Sequence, residues 1–376
     1  MQRTRTIHLW APDLWRTRGG IQAYLLGVIR ALQELYPETR IIVLSMSDCY
    51  VPEGFPVESH TEFHCVGSTN VVWSRIRFCL KALMQSVFHR PAFLLVGHVH
   101  FCSVAYLLHL LLRIPYYSFG YGLDVWGERS RFFQRSLMSS RKVISISGYT
   151  ARRIHSDQNV PEDRITLLPC TLDATRFIPK PKPAYLAERY QIGPQHQVIL
   201  MVCRLASVER YKGYDILLEA IPRLLPSFPN LRFLIAGKGA DFPRVSARIT
   251  AMGLSEQVKL LGFIPDGELC DLYNLCDVFA MPSKGEGFGI VFLEALACGK
   301  PVLAGNQDGS AEAVLHGRLG CLVNPDSHEE IKETLQQLLT GRHPNASLRD
   351  AGFLRQGVID AFGHERFVQT LRQILQ

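Results

Sequence analysis

The sequence has no apolar run long enough to cross a lipid bilayer. Its most apolar stretch, from Phe101 to Leu112, has 12 residues and contains His109. A transmembrane helix needs about 20 predominantly apolar residues. This stretch therefore predicts a buried helix of a globular domain.

Paired cysteines and a secretory leader are also missing. The ten cysteines are scattered, mostly within apolar runs, without a Cys-x-x-Cys spacing and without a signal peptide ahead of them. Buried free thiols in a reducing compartment are the simplest interpretation, and this pattern argues against both a disulfide framework and a metal site. We therefore expect a cytoplasmic protein.

Motifs for nucleic-acid binding are absent, although the chain is basic. Residues 1–170 contain 19 lysines and arginines against 12 acidic residues, whereas residues 171–376 contain 22 of each. The net charge of +7 therefore lies entirely in the first half. Without a helix-turn-helix, zinc finger or RNA-binding aromatic pattern, this charge predicts an anionic surface or a pyrophosphate-bearing acceptor as partner, not nucleic acid.

The segment from Val71 to Phe88 combines this charge with apolar residues. Arg75, Arg77 and Lys81 lie among apolar residues at helical spacing, which are Trp73, Ile76, Leu80, Leu83 and Val87. Such a basic amphipathic helix can lie in a membrane interface as a peripheral contact. The alternative is a surface helix whose apolar stripe packs on its own sheet, and the sequence leaves both open.

Short β-rich runs alternate with amphipathic segments in both halves, which predicts an α/β protein with parallel sheets. A chain of 376 residues is longer than the length at which a single hydrophobic core stops growing, so two domains are expected. We predict doubly wound, Rossmann-like domains at 1–175 and 176–360, facing each other across a cleft, with a proline-rich linker at 177–183. A C-terminal helix at 361–376 is expected to cross back to the first domain. The predicted strands are 6–10, 41–44, 93–96, 143–146, 198–202, 231–235, 258–261, 278–281 and 301–304.

The segment from Glu286 to Glu294 joins a glycine-containing turn to a predicted helix start. Gly287 and Gly289 allow close approach of the backbone to a ligand, and the first amides of a helix favour an anionic oxygen. The two carboxylates, eight residues apart, suit hydroxyls on two parts of one extended ligand. Taken alone, the segment is equally compatible with an ordinary strand-turn-helix carrying two solvated glutamates.

Five ordered motifs resemble those of retaining glycosyltransferases of family 4. They are Pro282-Ser283 through Glu294 to Pro301-Val302, Val202-Cys203-Arg204-Leu205, Lys212-Gly213, Leu234-Ile235-Ala236-Gly237-Lys238-Gly239, and Gly309 with Glu312. The resemblance implies the GT-B fold, with the second domain binding a nucleotide diphosphate sugar. In this family Arg204 and Lys212 would contact the diphosphate, Glu286 the sugar hydroxyls and Glu294 the ribose. The remaining donor-side positions are Gly237, Gly239, Phe263, Ile264, Gly287, Phe288, Gly289 and Ile290.

Positions in the first half resemble the acceptor side of the same family. Gly19 and Gly20 match a glycine-rich turn whose amides reach the diphosphate, and Ser147 matches a position at a strand end. Tyr121 and Asp124 lie in a segment that resembles a His-Gly-x-Asp motif, with tyrosine in place of the histidine that is commonly placed against the donor sugar. Tyrosine can orient a sugar but is no base at neutral pH, so His98 and His100 are alternative sources of an imidazole.

The expected reaction needs no metal cofactor, because no acidic Asp-x-Asp pair is evident and two cations can neutralise the diphosphate. No carboxylate nucleophile is evident either, which favours a front-face transfer in which the leaving phosphate takes the proton of the acceptor. The motifs look most like bacterial members that add mannose in exopolysaccharide or glycolipid synthesis, with glucosyl or galactosyl transfer from a UDP-sugar as the alternative. The acceptor is expected to be a glycan or a polyprenyl-linked saccharide.

Two other classes of protein are alternatives to a glycosyltransferase. An epimerase or phosphorylase can share a similar fold, but the acid and histidine pattern of the first and the cofactor lysine of the second are not evident. A non-catalytic sensor of nucleotide sugars is the second alternative, since Tyr121 departs from the family motif.

Overall fold

The computed structural model describes residues 6–17 and 19–376. Internal contacts divide the chain into two compact units. The first runs to Thr171 and includes His364–Gln376, and the second is Leu172–Gly363.

The first unit is built on a parallel sheet of seven strands in the order β3-β2-β1-β4-β5-β6-β7. Its strands are β1 (Thr6–Ala11), β2 (Arg40–Ser45), β3 (Thr61–Cys65), β4 (Phe93–Val96), β5 (Tyr116–Gly120), β6 (Lys142–Ser145) and β7 (Ile165–Leu167). Its helices are α1 (Gly20–Leu35), α2 (Val71–His89), α3 (Cys102–Leu112), α4 (Arg131–Met138), α5 (Gly148–Gln158) and, from the end of the chain, α14 (His364–Leu375).

The second unit has a parallel sheet of six strands in the order β10-β9-β8-β11-β12-β13. Its strands are β8 (Gln197–Val202), β9 (Leu231–Ala236), β10 (Val258–Gly262), β11 (Val278–Met281), β12 (Val302–Gly305) and β13 (Cys321–Val323). Its helices are α6 (Ala184–Tyr190), α7 (Tyr214–Leu224), α8 (Phe242–Ala251), α9 (Asp266–Leu275), α10 (Ile290–Ala297), α11 (Ser310–Ala313), α12 (His328–Thr340) and α13 (Ala351–Phe362).

The central strands of both sheets are almost wholly buried, because crossover helices cover both faces of a parallel sheet. In each sheet the strand order reverses once, between β1 and β4 and between β8 and β11. Ligands of such folds bind beyond the carboxyl ends of the strands at this switch point. The fold therefore indicates one candidate region in each unit.

All nine predicted strands are present, to within one residue at their ends. The prediction missed β3, β5, β7 and β13. The edge strands β7 and β13 have three residues each, and β3 at the other edge is half polar. Short or half-exposed strands carry little of the apolar signal on which such predictions depend.

Helix α2 decides between the two interpretations of its apolar stripe, because it packs on the sheet with another face. Its buried residues are Ser74, Phe78, Ala82 and Ser86. The predicted apolar stripe points to solvent, with Trp73 60% exposed and Leu80 56% exposed. The interpretation that this stripe packs on its own sheet is therefore wrong.

Helix α3 corrects a second expectation. Of its residues only Cys102, Ala105 and Leu108 are buried, whereas Leu107, Leu110 and Leu111 are exposed. The prediction of a buried helix is therefore only half right, because one face of α3 is exposed in the first unit.

The cysteines are all free, and seven of the ten are buried. Cys49 and Cys79 are exposed, so the prediction of buried thiols is wrong for these two cysteines. Among the helices of residues 6–17 and 19–376, none combines the length and the apolar character needed to cross a membrane.

The proline-rich stretch has no regular structure and lies in the second unit. The backbone N–H of Lys180 donates to Asn274 over 2.8 Å, and the Lys182 ammonium group lies 2.8 Å from Asp277. At the end of the chain, α14 packs against α1 of the first unit, with Phe367 edge-on to Tyr24 at 5.6 Å between ring centroids.

Candidate functional site

The donor-side residues of the sequence prediction lie at the carboxyl end of the second sheet. The segments after β8, β9, β10 and β11 supply Arg204, Gly237, Phe263 and Glu286, respectively. Since these four strands are neighbours in a parallel sheet, the sequence-distant motifs meet at one edge, at the switch point between β8 and β11.

Four charged side chains form the centre of this region. The Lys212 ammonium group lies 2.6 Å from a carboxylate oxygen of Glu286 and 3.8 Å from one of Glu209. The other oxygen of Glu209 contacts the Arg204 guanidinium group. The structure thus brings the predicted Arg204, Lys212 and Glu286 together, and adds Glu209, which the sequence analysis did not single out. Its only sequence signal is its place three residues before Lys212.

The two cations differ in exposure. The Arg204 side chain is 71% exposed, whereas that of Lys212 is 13% exposed. Burial lowers the pKa of the Lys212 ammonium group, but the charges of Glu286, Tyr211 and Glu209 raise it by more, so its pKa lies above the ordinary value. Lys212 is therefore a fixed positive charge at neutral pH, while the exposed Arg204 side chain is accessible to a ligand.

The loop that carries Glu286 is held by a second residue that the sequence analysis missed. The buried carboxylate of Asp308 accepts hydrogen bonds from the Glu286 N–H at 2.7 Å, the Ser283 hydroxyl at 2.8 Å and the Ser310 N–H at 2.9 Å. Burial raises its pKa. Asp308 therefore fixes the backbone of Glu286 from the loop that follows the neighbouring strand, β12.

Glu294 lies one helix turn into α10, apart from the charge cluster. Its carboxylate accepts a hydrogen bond from the Tyr273 hydroxyl at 2.7 Å. Burial raises the pKa of Glu294 to about 7, and the bond from Tyr273 opposes this shift. A carboxylate in this state changes its charge near neutral pH.

This shift predicts pH-dependent nucleotide binding if Glu294 holds the ribose. An ionised carboxylate accepts hydrogen bonds from two hydroxyls, whereas the protonated form loses part of that capacity. Affinity for a nucleoside diphosphate should therefore rise between about pH 6 and pH 8. Replacing Tyr273 by phenylalanine removes the bond that lowers the pKa and should move this rise to higher pH. Calorimetry across this range checks it, and a Glu294→Gln variant with an unchanged pH profile would contradict it.

The glycines of this region act mainly in packing between loops. At Gly237, where φ is +141°, a Cβ atom would lie 1.8 Å from the carbonyl oxygen of Cys203, and at Gly239 1.9 Å from that of Leu205. These two glycines let the β8 and β9 loops touch. The predicted contact of the Gly237–Gly239 loop with a base is a separate property, which stays a prediction.

The predicted turn before α10 is also partly structural. Gly289 has φ +91° and precedes the first residue of the helix, Ile290, without a side-chain cap on the first amides. The ring of Phe288 is buried against Phe362, with 5.4 Å between centroids. Only backbone atoms of Phe288 are therefore available to a ligand, as is also the case for Gly287. After β10, Phe263 is 46% exposed and Ile264 is partly buried, so both remain accessible.

In the first unit, the predicted residues lie at the carboxyl ends of β1, β4, β5 and β6. The backbone at Gly19 is fully extended, and α1 begins at Gly20 without a side-chain cap. The loop before them is fixed by two buried carboxylates that the sequence analysis missed. Asp13 accepts from the Thr17 hydroxyl at 2.6 Å, and Asp48 accepts from the Leu14 N–H at 2.6 Å.

His98 and Tyr121 lie near each other, with 6.2 Å between their ring centroids. Burial lowers the pKa of His98 to about 4, so its imidazole is neutral at pH 7. The Tyr121 ring is buried, its hydroxyl donates to the carbonyl of Gly97 at 2.9 Å, and burial raises its pKa well above the ordinary value. The Tyr121 hydroxyl thus donates its proton to the backbone. The sequence had predicted that this hydroxyl could orient a sugar.

Asp124 and Ser147 also bond to their own loops. The Asp124 carboxylate accepts from the N–H groups of Tyr121 at 3.0 Å and Gly122 at 2.7 Å, and burial raises its pKa to about 6. Ser147 is buried and caps α5 by accepting from the Thr150 N–H at 3.0 Å. Within the described ranges, no group of three His, Cys, Asp or Glu side chains is arranged to hold a metal ion.

Two family models match the chain, one in each half. The model described as Glycosyltransferase Family 4 matches residues 18–176, and the model described as Glycosyl transferases group 1 matches residues 187–355.

Curated relatives and solved structures agree with these models. A GDP-mannose-dependent alpha-(1-6)-phosphatidylinositol monomannoside mannosyltransferase of Mycolicibacterium smegmatis is 35% identical over 56% of each chain, so the match spans about half of its length. A D-inositol 3-phosphate glycosyltransferase of Geodermatophilus obscurus is 25% identical over 94% of this chain and 83% of its own. The crystal structure of an Anabaena protein in complex with UDP-glucose superposes with a TM-score of 0.78 over 98% of this chain and 99% of its own, at 19% identity.

The two parallel sheets, the ordered motifs at their carboxyl ends and these matches agree along nearly the whole chain. The protein therefore belongs to glycosyltransferase family 4 and has the GT-B fold.

Proposed function

We propose that this chain is a retaining glycosyltransferase that moves a mannosyl group from a nucleotide diphosphate sugar to a lipid-linked saccharide. The observation that carries the proposal is the charge cluster of Arg204, Lys212 and Glu286 at the switch point of the second sheet. Two cations beside a carboxylate match a diphosphate joined to a sugar, since the cations pair with phosphate oxygens and the carboxylate accepts from sugar hydroxyls.

The chemical step follows from this assignment. The bond between the anomeric carbon and the diphosphate oxygen breaks while a bond to the acceptor oxygen forms on the same face. The proton of the acceptor hydroxyl passes to an oxygen of the leaving diphosphate. Negative charge grows on that diphosphate, and Lys212 and Arg204 stabilise it. Because the cations supply this charge, we propose that transfer needs no metal ion.

Mannose is the favoured sugar because the Mycolicibacterium relative is named as GDP-mannose-dependent. Transfer of glucose or galactose from a UDP-sugar is the alternative, supported by the Anabaena structure in complex with UDP-glucose. Glu286 would contact hydroxyls that these hexoses share, so the cluster itself does not select among them.

A lipid-linked acceptor is favoured by the exposed surface of α2 and α3. The two helices pack against each other. We define the apolar face as their exposed apolar residues, which are Val71, Val72, Trp73, Ile76, Leu80, Leu83, Met84, Val87, Phe88, Leu107, Leu110 and Leu111. Monomeric proteins rarely expose a large contiguous apolar surface without a partner.

The charges around the apolar face favour an anionic membrane as that partner. Helices α2, α3 and α4 contain no aspartate or glutamate. Arg75, Arg77 and Lys81 lie on α2, and none of them forms an ion pair with a carboxylate of the described residues. Cations without counter-charges beside exposed apolar side chains suit the interface of an anionic bilayer. We therefore propose peripheral binding to the cytoplasmic face of a membrane, where a lipid-linked acceptor would be available.

The test of the donor assignment is a binding titration of the purified chain against UDP-, GDP-, ADP- and TDP-sugars with EDTA present. We expect one base to bind selectively, and Arg204→Ala and Glu294→Ala each to weaken that binding about tenfold or more. The matched control is Arg189→Ala, which removes an exposed cation paired with Glu268. Binding that appears only after magnesium or manganese is added would contradict metal independence.

Transfer itself separates this proposal from a non-catalytic sensor. Incubation of the bound donor with vesicles containing polyprenyl-linked saccharides should give a product whose anomeric configuration matches that of the donor. Donor binding without transfer or hydrolysis above background would favour the sensor. An inverted product would contradict the front-face mechanism.

A further inference from the structure

Glu209 is the buried carboxylate of the charge cluster that the proposed reaction does not use. Its side chain is 6% exposed, and one of its oxygens contacts Arg204. Its other oxygen is buried, has no hydrogen-bond partner within the described residues and lies 3.8 Å from the Lys212 ammonium group. Burying a carboxylate without its full set of hydrogen bonds is unfavourable, so this position calls for a functional explanation.

The short segment Ser207–Lys212 that carries Glu209 is held from both sides. The next residue, Arg210, forms an ion pair of 3.0 Å with the buried carboxylate of Asp241. The carbonyl of Tyr211 accepts from the Lys284 N–H at 2.9 Å. Both of these bonds lie on the C-terminal side of Glu209, and on its N-terminal side the Glu209 N–H donates to the carbonyl of Ala206 at 2.8 Å. The inward position of Glu209 is therefore set by the segment and not by its own side chain alone.

The charges of the cluster balance before any ligand binds. Two cations, Arg204 and Lys212, face two carboxylates, Glu209 and Glu286. An incoming diphosphate must therefore compete with Glu209 for Arg204, whose side chain is exposed enough to move. The Lys212 side chain is only 13% exposed and stays in place.

We infer that Glu209 is a positioning residue that holds Arg204 beside Lys212 and limits the affinity of the site for the nucleoside diphosphate product. The inference rests on the proposed function. Without Glu209, only Glu286 would oppose the two cations, so they would bind the product more tightly and delay its release. With Glu209 in place, Arg204 returns to it when the product leaves.

The experiment compares wild type with Glu209→Gln, which keeps the size and removes the charge, and with Glu209→Asp, which keeps the charge. We expect UDP or GDP to bind Glu209→Gln about tenfold more tightly than wild type at low salt. This gain should shrink as ionic strength rises. The KM for the donor and kcat should both fall, because product release becomes slower. Glu209→Asp should stay close to wild type in affinity.

Two controls separate this role from others. Glu329→Gln removes an exposed carboxylate paired with Lys332 on α12 and should leave nucleotide affinity unchanged. A merely structural Glu209 would give a lower melting temperature and weaker or unchanged nucleotide binding in Glu209→Gln, and that result would overturn the inference. If wild type binds none of the nucleotides, the proposed function fails and this inference fails with it.

Discussion

We expect the Lys212→Gln variant to transfer sugar about a thousandfold more slowly than wild type, because it loses the fixed positive charge of the proposed diphosphate site. The Lys212 side chain is only 13% exposed, and its ammonium group lies 2.6 Å from Glu286. Glutamine keeps a hydrogen-bond donor near Glu286 but cannot neutralise a leaving diphosphate. The measurement is kcat and kcat/KM for transfer with the donor that the binding panel identifies, together with nucleotide affinity by calorimetry.

The matched control is Lys284→Gln in the loop after β11. Lys284 pairs with Asp326 at the surface, and its side chain is 50% exposed. We expect this variant to retain nearly full activity. A melting curve is needed for Lys212→Gln, since it leaves Glu209 and Glu286 without their shared cation. A folded Lys212→Gln variant with activity within tenfold of wild type would mean that the diphosphate binds elsewhere.

Replacing four residues of the apolar face by glutamine should weaken binding to anionic vesicles about a hundredfold, because each loses apolar contact with the bilayer. The four positions are Trp73, Leu80, Leu83 and Val87, all exposed on α2. Because they are exposed, the melting temperature should change little. Co-sedimentation with vesicles of phosphatidylglycerol and phosphatidylcholine measures the effect.

A second variant tests the electrostatic part. Replacing Arg75, Arg77 and Lys81 by glutamine should remove the preference for anionic over neutral vesicles. The weaker binding through the apolar side chains should remain. Substitution of Tyr50 and Val57, exposed apolar residues outside these helices, is the control and should change nothing. Unchanged vesicle binding in the α2 variants, or a stable dimer that they dissociate, would show that the apolar face contacts another protein surface.

The sequence predicted the alternation of strands and helices well, because buried parallel strands appear as short apolar runs between amphipathic segments. The resemblance to family 4 motifs also predicted Arg204, Lys212, Glu286 and Glu294 as donor-side residues, and the structure brings the first three of them together. The sequence analysis did not find Glu209, Tyr273 or Asp308. Their partners are Arg204, Glu294 and the Glu286 backbone, and the last two lie on other elements of the fold. Nothing local in the chain distinguishes such residues from ordinary polar ones.

The orientation of α2 was beyond the sequence for a similar reason. Its periodicity shows an apolar stripe but not which side faces the sheet, and the choice depends on close packing. Small residues, Ser74, Ala82 and Ser86, with Phe78 among them, meet the sheet and leave the larger stripe outside. The same holds for Tyr121, whose replacement of a family histidine is visible in the chain. Its bond to Gly97 depends on the neighbouring strand β4.

Composition and periodicity thus determined the α/β class and the parallel sheets, because both depend on residues close together in the chain. The donor-side charges were predicted from the resemblance to the family 4 motifs. The tertiary structure decided which carboxylate pairs with which cation, which pKa values are shifted and which faces of α2 and α3 are exposed. These properties depend on burial and on distances between residues far apart in sequence, which only the packed sheet and its helices define.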